Sequence, residues 1–510
     1  MYKRIPYFVL VLGIVVALVS VLADIVGLGS DGIQAAQLLG LQIGILVALV
    51  GVGLKIANQS GDRLLSWEQV LSLGERVLDL PVITWVLASF LVVYFLFFIS
   101  PVFLNSKLQM AYLNRYLPHT GMIGADLRVF VEYIEEWLTS GQSPYTSGYI
   151  AYPPFSFFLF SPLVLVGYPA SFRLITVITL TSYLIVTLTI PRLLATGRSF
   201  SLLLFILIVG LFSYGLQFEL ERGQSNLIAF AFCLIGICIF HFHKRLRIFA
   251  YILFSVSIQM KLYPAIFFML FIEDWRDWGG NMKRIFGLAL FNFTLLFVMG
   301  FTAFIDFSKA IALQQFNLSQ WNGNHSIRAF AVNLTGHGFG IFSPEMLANL
   351  EQYARSIEMT LMVVVVVCIA LVIIFMYRCH ETGFNPYLLF ACTIGALVIP
   401  SVSNDYKLSI LPASVAILFS GLSVSGKPVR KVITILLVLL FSAAYWSVLY
   451  PFKVKPEILA SSFPILFLML VSSTVLYFVS GSASKQEQVN QSRNLEEKHL
   501  EIRALWQNHR

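Results

Sequence analysis

Five short stretches of this sequence carry residue types that could take a proton from a hydroxyl and hold an anion. Asp126 lies in GADLRVFVEYIEEWL, residues 124–138, and a carboxylate within reach of a hydroxyl can act as a general base. The other four stretches supply amides, cations, a histidine and a second carboxylate: ERGQSN at 221–226, KLYP at 261–264, NHS at 324–326 and SNDYK at 403–407. They can act together only if the fold brings them to one face.

Composition identifies the class of protein that must position these groups. Hydrophobic residues make up 58% of the 510 residues and charged residues 12%, with a mean hydropathy of +0.81. Soluble domains are only about 45 to 50% apolar. Runs such as 7–26, 39–56 and 82–104 reach the roughly 20 residues needed to cross a bilayer. The sequence predicts an all-α polytopic membrane protein with about 12 spans. The net charge of +8 is a topology signal and does not indicate nucleic-acid binding.

Basic loops give the orientation, because short cytoplasmic loops are enriched in Lys and Arg. They lie at the N-terminus and at 191–198, 241–247, 274–284, 378–380 and 426–431. The polar stretches then fall on the opposite, non-cytoplasmic face: 105–152, 219–226, 306–356 and 400–407. If loops alternate between the two faces along the chain, the apolar runs 152–190 and 249–272 must be re-entrant or broken helices. Both contain prolines. Broken helices in membranes usually surround a polar site.

Three regions follow from this pattern. Residues 1–80 are predicted to hold two spans and a cytoplasmic amphipathic linker, and 481–510 a polar cytoplasmic tail. Residues 81–480 form the main transmembrane domain, with outer loops 105–152 and 306–356. The N-terminal run also resembles a secretory signal, but its length and the spans that follow favour an uncleaved first span.

Several chemistries lack their usual residues. The five cysteines are odd in number and have no C-x-x-C spacing, which predicts neither a disulfide framework nor a zinc site. The sequence has no D-x-D, no H-E-x-x-H and no G-x-x-x-x-G-K-[ST]. We therefore expect no metal, no cofactor and no ATP-driven transport.

Three charged candidates each have a structural alternative. Asp126 stands at the start of an amphipathic helix predicted to lie on the membrane surface, where it is either an N-cap or a base. Lys261 either extends to the interface or holds a phosphate within its broken segment. Arg222 either clamps the same phosphate or pairs with Glu219 or Glu221.

Each of the remaining polar candidates also has a structural alternative to a role in binding or catalysis. Gln224 and Asn226 have amides suited to sugar hydroxyls, and Asn226 could instead cap the following helix. His325 could bond an acceptor or a phosphate, or be an exposed loop residue without a role. Asp405 is the second candidate base, unless it pairs with Lys407, a further cation predicted on this face.

The order of these motifs resembles a known family. D-x-x-[VF]-[YF] at Asp126 is followed by G-x-S-P-Y, Y-P-P, G-Q-x-N and K-x-Y-P. This order resembles glycosyltransferase family 87, membrane enzymes that use polyprenyl-phosphate sugars, over about residues 82–412. The triplet Asn324-His325-Ser326 is a partial match, because the family commonly has N-Q-S there.

The resemblance implies a GT-C-like bundle with its active site at the outer face and Asp126 as catalytic base. It implies transfer of a sugar, with mannose the best-known, from a polyprenyl-phosphate donor to a lipid-linked or cell-envelope glycan, with inversion, at the outer side of a bacterial cytoplasmic membrane. Two further groups complete the expected site. Donor phosphate is assigned to Lys261, Arg222 and Lys407; sugar or acceptor is assigned to Gln224, Asn226, Tyr145, Tyr152, Asn324 and His325. The alternatives are a secondary transporter, disfavoured because the two halves do not repeat, and a non-catalytic lipid-binding subunit, which would not need Asp126.

Overall fold

The described part of the chain is helical. The computed structural model describes residues 10–16, 19, 81–104, 123–146, 150–194, 200–316, 323–336, 344–421, 433–434, 436–441 and 462–479. These segments contain no strand, only an isolated bridge between Asn324 and Asn404, so the all-α prediction is confirmed for them. Most of region 1–80, all of 481–510 and parts of both predicted outer loops lie outside the described residues.

Between residues 81 and 260 the described chain forms eleven α-helices. They are α1 Pro81–Tyr94, α2 Ser100–Leu104, α3 Ala125–Ser140, α4 Pro154–Phe160, α5 Pro162–Val166, α6 Tyr168–Leu184, α7 Ile190–Leu194, α8 Phe200–Leu211, α9 Tyr214–Arg222, α10 Asn226–Phe242 and α11 Arg247–Met260. Short π-helical turns, Phe95–Ile99 and Ile185–Thr189, join α1 to α2 and α6 to α7.

The second half adds eight more. They are α12 Trp278–Leu295, α13 Phe301–Phe316, α14 Ile327–Gly336, α15 Pro344–Glu351, α16 Ala354–Cys379, α17 Pro386–Val398, α18 Leu411–Gly421 and α19 Phe463–Val479. The 3₁₀ helices are Lys244–Leu246, Tyr263–Phe271 and Asp405–Ile410.

Among the described residues, two continuous helices are long and apolar enough to cross a bilayer, Tyr168–Leu194 and Ala354–Cys379. A third span results if Leu202–Leu211 and Tyr214–Arg222, which meet at a 53° bend, are counted together. Other apolar helices in the described segments are shorter, among them α10, α17 and α19. The membrane class is thus supported, and the count of about 12 spans stays a prediction.

Both proline-containing runs are broken, as the sequence predicts. The run 249–272 leaves α-helical geometry after Met260 and continues from Tyr263 as a nine-residue 3₁₀ helix with Pro264 in its first turn. Proline lacks the N–H that an α-helix needs, and 3₁₀ runs of this length are uncommon. In the run 152–190, α4 and α5 each begin at a proline. The first break leaves Lys261 at the end of α11.

The core centres on α10, which is buried along nearly its whole length. It packs against α11 as a helical hairpin closed by the short turn Lys244–Leu246. Phe271 from the 3₁₀ helix fills the gap between them, with ring centroids 4.3 Å from Phe254 and 5.3 Å from Phe240. Because α10 is held along its length, its N-terminus gives the polar segment before it a fixed position.

Helix α3 does not present its apolar stripe to the membrane surface, which corrects the sequence interpretation. Leu127, Phe130, Val131 and Ile134 are buried against the protein, since α3 contacts α4, α5, α6 and α9. Its exposed face carries acidic residues. The hydrophobic periodicity was correct, but it marked a contact with neighbouring helices.

Candidate active site

Asp126 is not a helix cap. The N-cap of α3 is Gly124, and Asp126 is the second residue of the helix. Its carboxylate turns instead toward the end of α9, where Oδ2 accepts a hydrogen bond from Nε2 of Gln224 at 2.5 Å. Oδ1 lies 3.4 Å from a guanidinium nitrogen of Arg222. The carboxylate is half-buried, so it remains within reach of a ligand.

Two glycines allow α3 to approach α9 closely enough for these contacts. The Gly124 N–H donates to the Glu221 carbonyl at 2.6 Å. A Cβ on Gly124 would lie 2.6 Å from the Phe172 ring, and one on Gly223 would lie 2.8 Å from Cβ of Leu127. Both glycines also have positive φ, 68° and 65°, which side chains rarely adopt. The close approach of Asp126 to Gln224 depends on them.

Gln224 connects Asp126 to Lys261. Its Oε1 accepts a hydrogen bond from Nζ of Lys261 at 2.7 Å and one from the Tyr152 hydroxyl at 3.2 Å. Nζ also donates to the Tyr152 hydroxyl at 2.8 Å and lies 4.1 Å from the centre of its ring. Lys261 thus points into this polar cluster and does not simply extend to the interface. We call Asp126, Tyr152, Arg222, Gln224 and Lys261 the site cluster.

Arg222 contacts two carboxylates. Its guanidinium lies 3.2 Å from Glu221 and 3.4 Å from Asp126, and it stacks 5.0 Å above the Phe218 ring. The expected pair with Glu221 is therefore present. Glu219 is engaged elsewhere, because it accepts hydrogen bonds from the Leu227 N–H at 2.7 Å and from Ser409. Arg222 is thus paired with carboxylates, which was the alternative to the phosphate clamp expected for it.

Lys407 approaches the site cluster from the second motif-bearing segment. Its Nζ donates to the Val402 carbonyl at 2.6 Å, and its charge acts on that of Lys261. The expected pair between Lys407 and Asp405 is not what forms. Asp405 contacts Nε2 of His325 at 2.5 Å instead. Two half-buried ammonium groups thus lie near one another.

A family model for glycosyltransferase family 87 matches residues 149–403, half of the chain. The chain belongs to this family. The match includes Tyr152, Arg222, Gln224 and Lys261, whereas Asp126 lies before it. No curated protein matches the chain. Membership and the apolar helices together make this protein a membrane glycosyltransferase.

Burial divides the site residues expected of this glycosyltransferase into two sets. Asp126, Tyr152, Arg222, Lys261 and Lys407 are half-buried and can touch a ligand. The buried set is Tyr145, Gln224, Asn226, Asn324 and His325. Gln224 still meets the cluster through its amide. Direct ligand contact by the others would require atoms that this structure does not expose.

The buried residues hold together the segments around the site cluster. The Tyr145 hydroxyl donates to the Tyr152 carbonyl at 2.7 Å. Oδ1 of Asn324 accepts from the Ser403 N–H at 2.9 Å, and the His325 N–H donates to the Ser403 carbonyl at 2.8 Å. The carbonyl of Asn226 accepts from the Tyr263 hydroxyl at 2.7 Å. The N-H-S triplet of the transferase therefore fixes the segment that leads to Lys407.

The sequence interpretation did not count Glu219 or Tyr406 as site residues. Glu219 is fully buried, and its bond to the Leu227 N–H satisfies the first turn of α10. Tyr406 is half-buried and lies within electrostatic range of Asp126 and Arg222. A carboxylate inside an apolar helical segment is costly, which was an available signal for Glu219. Nothing local distinguished Tyr406 from the other tyrosines. Across the described segments, no three His, Cys, Asp or Glu side chains converge as a metal site would require.

Proposed function

We propose that this protein transfers a sugar from a polyprenyl-phosphate donor to a glycan or glycolipid acceptor at the non-cytoplasmic face of the membrane. The observation that carries the proposal is a half-buried carboxylate, Asp126, joined through Gln224 to the half-buried Lys261, on which the charge of a second half-buried lysine, Lys407, acts. Like charges held together in a poorly solvated place are stabilised by an anion. A lipid phosphate supplies one at this depth, and its polyprenyl tail would remain among the apolar helices.

The chemistry follows from the positions of these groups. The acceptor hydroxyl oxygen forms a bond to the anomeric carbon while the bond from that carbon to the phosphate oxygen breaks. The hydroxyl proton passes to Asp126, and the bonding electron pair leaves with the lipid phosphate, stabilised by Lys261 and Lys407. Attack opposite the leaving group inverts the anomeric centre. Fixed charges aimed at the leaving oxygen stabilise the transition state more than the ground state.

Gln224 gives this arrangement its geometry. One amide binds the base through Nε2 and the cation through Oε1, so the two charges are held apart at a fixed separation. Direct collapse of Lys261 onto Asp126 would neutralise both groups. Gln224 thus keeps the proton acceptor and the phosphate-binding cation available at the same time. Mannose as the transferred sugar rests on the family resemblance and is part of the proposal.

The donor class can be tested with purified full-length protein in lipid nanodiscs. We expect label to pass from radiolabelled polyprenyl-phosphate mannose to an envelope glycolipid extract, and not from GDP-mannose under the same conditions. Purification matters, because crude membranes can convert one donor into the other. Transfer from the nucleotide sugar with an inert lipid donor would overturn the proposed donor. Arabinose and glucose linked to the same lipid would serve to identify the sugar.

The orientation predicts that the two outer loops are labelled from the same side. Cysteines at Gln142 and Glu345, both exposed, should react with a membrane-impermeant maleimide in intact cells, whereas one at exposed Lys244 should react only after lysis. The background should have alanine at Cys238 and Cys379, the half-buried native cysteines among the five. Opposite accessibility of the positions 142 and 345 would contradict a single outer site.

A further inference from the structure

The Tyr406 hydroxyl has an uncommitted hydrogen-bond donor next to the site cluster. It accepts a hydrogen bond from Nδ2 of Asn404 at 3.1 Å, and no acceptor for its own proton is found among the described residues. The residue is half-buried and close enough to Asp126, Tyr152 and Arg222 for their charges and dipoles to interact. A hydroxyl that already accepts one hydrogen bond still has its own proton to donate to a ligand in the site.

Aromatic packing fixes the position of this hydroxyl. The Tyr406 ring lies 5.6 Å from the Phe218 ring, and Phe218 also packs under the Arg222 guanidinium at 5.0 Å. Gly215 permits the approach, since a Cβ there would meet Leu408 at 2.8 Å. Helix α9 therefore carries Arg222 and the support for Tyr406 on one rigid element.

A buried pair behind Tyr406 fixes its backbone. Asp405 contacts Nε2 of His325 at 2.5 Å, and Nδ1 of His325 lies 3.3 Å from the Ser462 N–H, which donates to it. Because Nδ1 is an acceptor, the ring carries its proton on Nε2, the nitrogen in contact with Asp405. His325 and Asp405 are 0% and 3% exposed, so neither can touch a ligand. Their pairing joins three separate segments immediately beside Tyr406.

We propose that the Tyr406 hydroxyl binds the phosphate of the lipid-linked donor by donating a hydrogen bond, and that His325 and Asp405 position it. This inference rests on the proposed function. Phosphate is favoured over the sugar because Lys407 is the next residue and Lys261 lies nearby. A donor beside two cations forms its strongest hydrogen bond with an anion. As the bond to the anomeric carbon breaks, charge grows on the phosphate oxygen, and the hydroxyl stabilises it.

The test uses Tyr406→Phe, which removes the hydroxyl and keeps the ring on Phe218. Binding of a polyprenyl monophosphate is measured on the full-length protein in nanodiscs, with the unphosphorylated polyprenol as reference for the tail. We expect the preference for the phosphorylated lipid to fall by about tenfold or more, the usual effect of losing a hydrogen bond to a charged group. Polyprenol binding should not change. Tyr477→Phe is the matched control. It also removes a tyrosine hydroxyl, but one that bonds Glu381 and Asn385, which are not members of the site cluster.

Each outcome is decisive. An unchanged preference in Tyr406→Phe would overturn the inference, as would weaker binding of the sugar-bearing donor with the monophosphate unaffected. If the wild-type protein itself does not prefer the monophosphate to the polyprenol, the donor class under the proposed function fails instead. The two failures are therefore distinguishable in one experiment.

Two substitutions at His325 test the positioning role. His325→Gln can keep an N–H near the position of Nε2 and should bind the monophosphate nearly as the wild type does. His325→Asn keeps an acceptor for the Ser462 N–H but cannot reach Asp405, so it should lose phosphate preference like Tyr406→Phe. The double variant of His325→Asn and Tyr406→Phe should lose little more phosphate preference than Tyr406→Phe alone. Equal loss of polyprenol and monophosphate binding in His325→Asn would show a merely structural role and overturn this part.

Discussion

Replacing Asp126 by asparagine should lower the transfer rate by about 10² to 10⁴-fold, the usual contribution of general-base catalysis. Asparagine keeps one acceptor oxygen, which can hold the short bond from Gln224 while the longer contact with Arg222 is lost, so the packing of α3 on α9 should persist. It cannot take the proton of the acceptor hydroxyl. We therefore expect near-normal thermal stability and near-normal binding of polyprenyl-phosphate sugar, measured beside the rate in nanodiscs.

The matched control for this substitution is Glu132→Gln on the same helix. Glu132 is exposed and pairs with Arg128 one turn away at 2.8 Å, so its loss removes one negative charge from α3 without touching the site cluster. It should transfer sugar at the wild-type rate. Near-normal turnover by a folded Asp126→Asn protein would leave the mechanism without a base, because Asp405 and Glu219 are both buried and engaged.

Lys261→Met should weaken donor binding by roughly 10- to 100-fold, because a hydrogen bond to a charged group contributes about 1.5 to 3 kcal/mol. Methionine retains an apolar stem of similar length, so the break after α11 should survive. The phosphate loses an ammonium that the structure directs into the site through Tyr152 and Gln224. Acceptor binding should change far less, and titration of each substrate separately gives the comparison.

Lys309→Met serves as the control for charge removal. Its ammonium is largely exposed and lies 3.6 Å from Asp306 on the same helix. Donor affinity should be unchanged in this variant. Equal donor affinity in Lys261→Met and the wild type would mean that the Lys261 ammonium does not bind the phosphate, and Lys407 would then be the remaining lysine for that role.

The sequence by itself determined the class and the helical breaks, and it named most of the residues that the structure brings together in the site cluster. Composition alone separates a membrane protein from a soluble one, because a bilayer requires long apolar segments. Pro264 and the prolines before α4 and α5 act on their own backbone, so the breaks they cause can be predicted locally. The order of short motifs made Asp126 and Lys261 candidates, and the chain proved to belong to the family that this order resembles.

Tertiary structure decided what each polar residue does. Asp126 meets Gln224 across 98 positions of sequence, and that contact excludes the capping role that its local position suggested. His325 and Asp405 were both candidates for reactive groups, yet packing buries them against one another. Tyr406 carried no local signal at all. The physical reason is common to these cases: burial and hydrogen-bond partners depend on which helices pack together, and no single stretch of sequence specifies that.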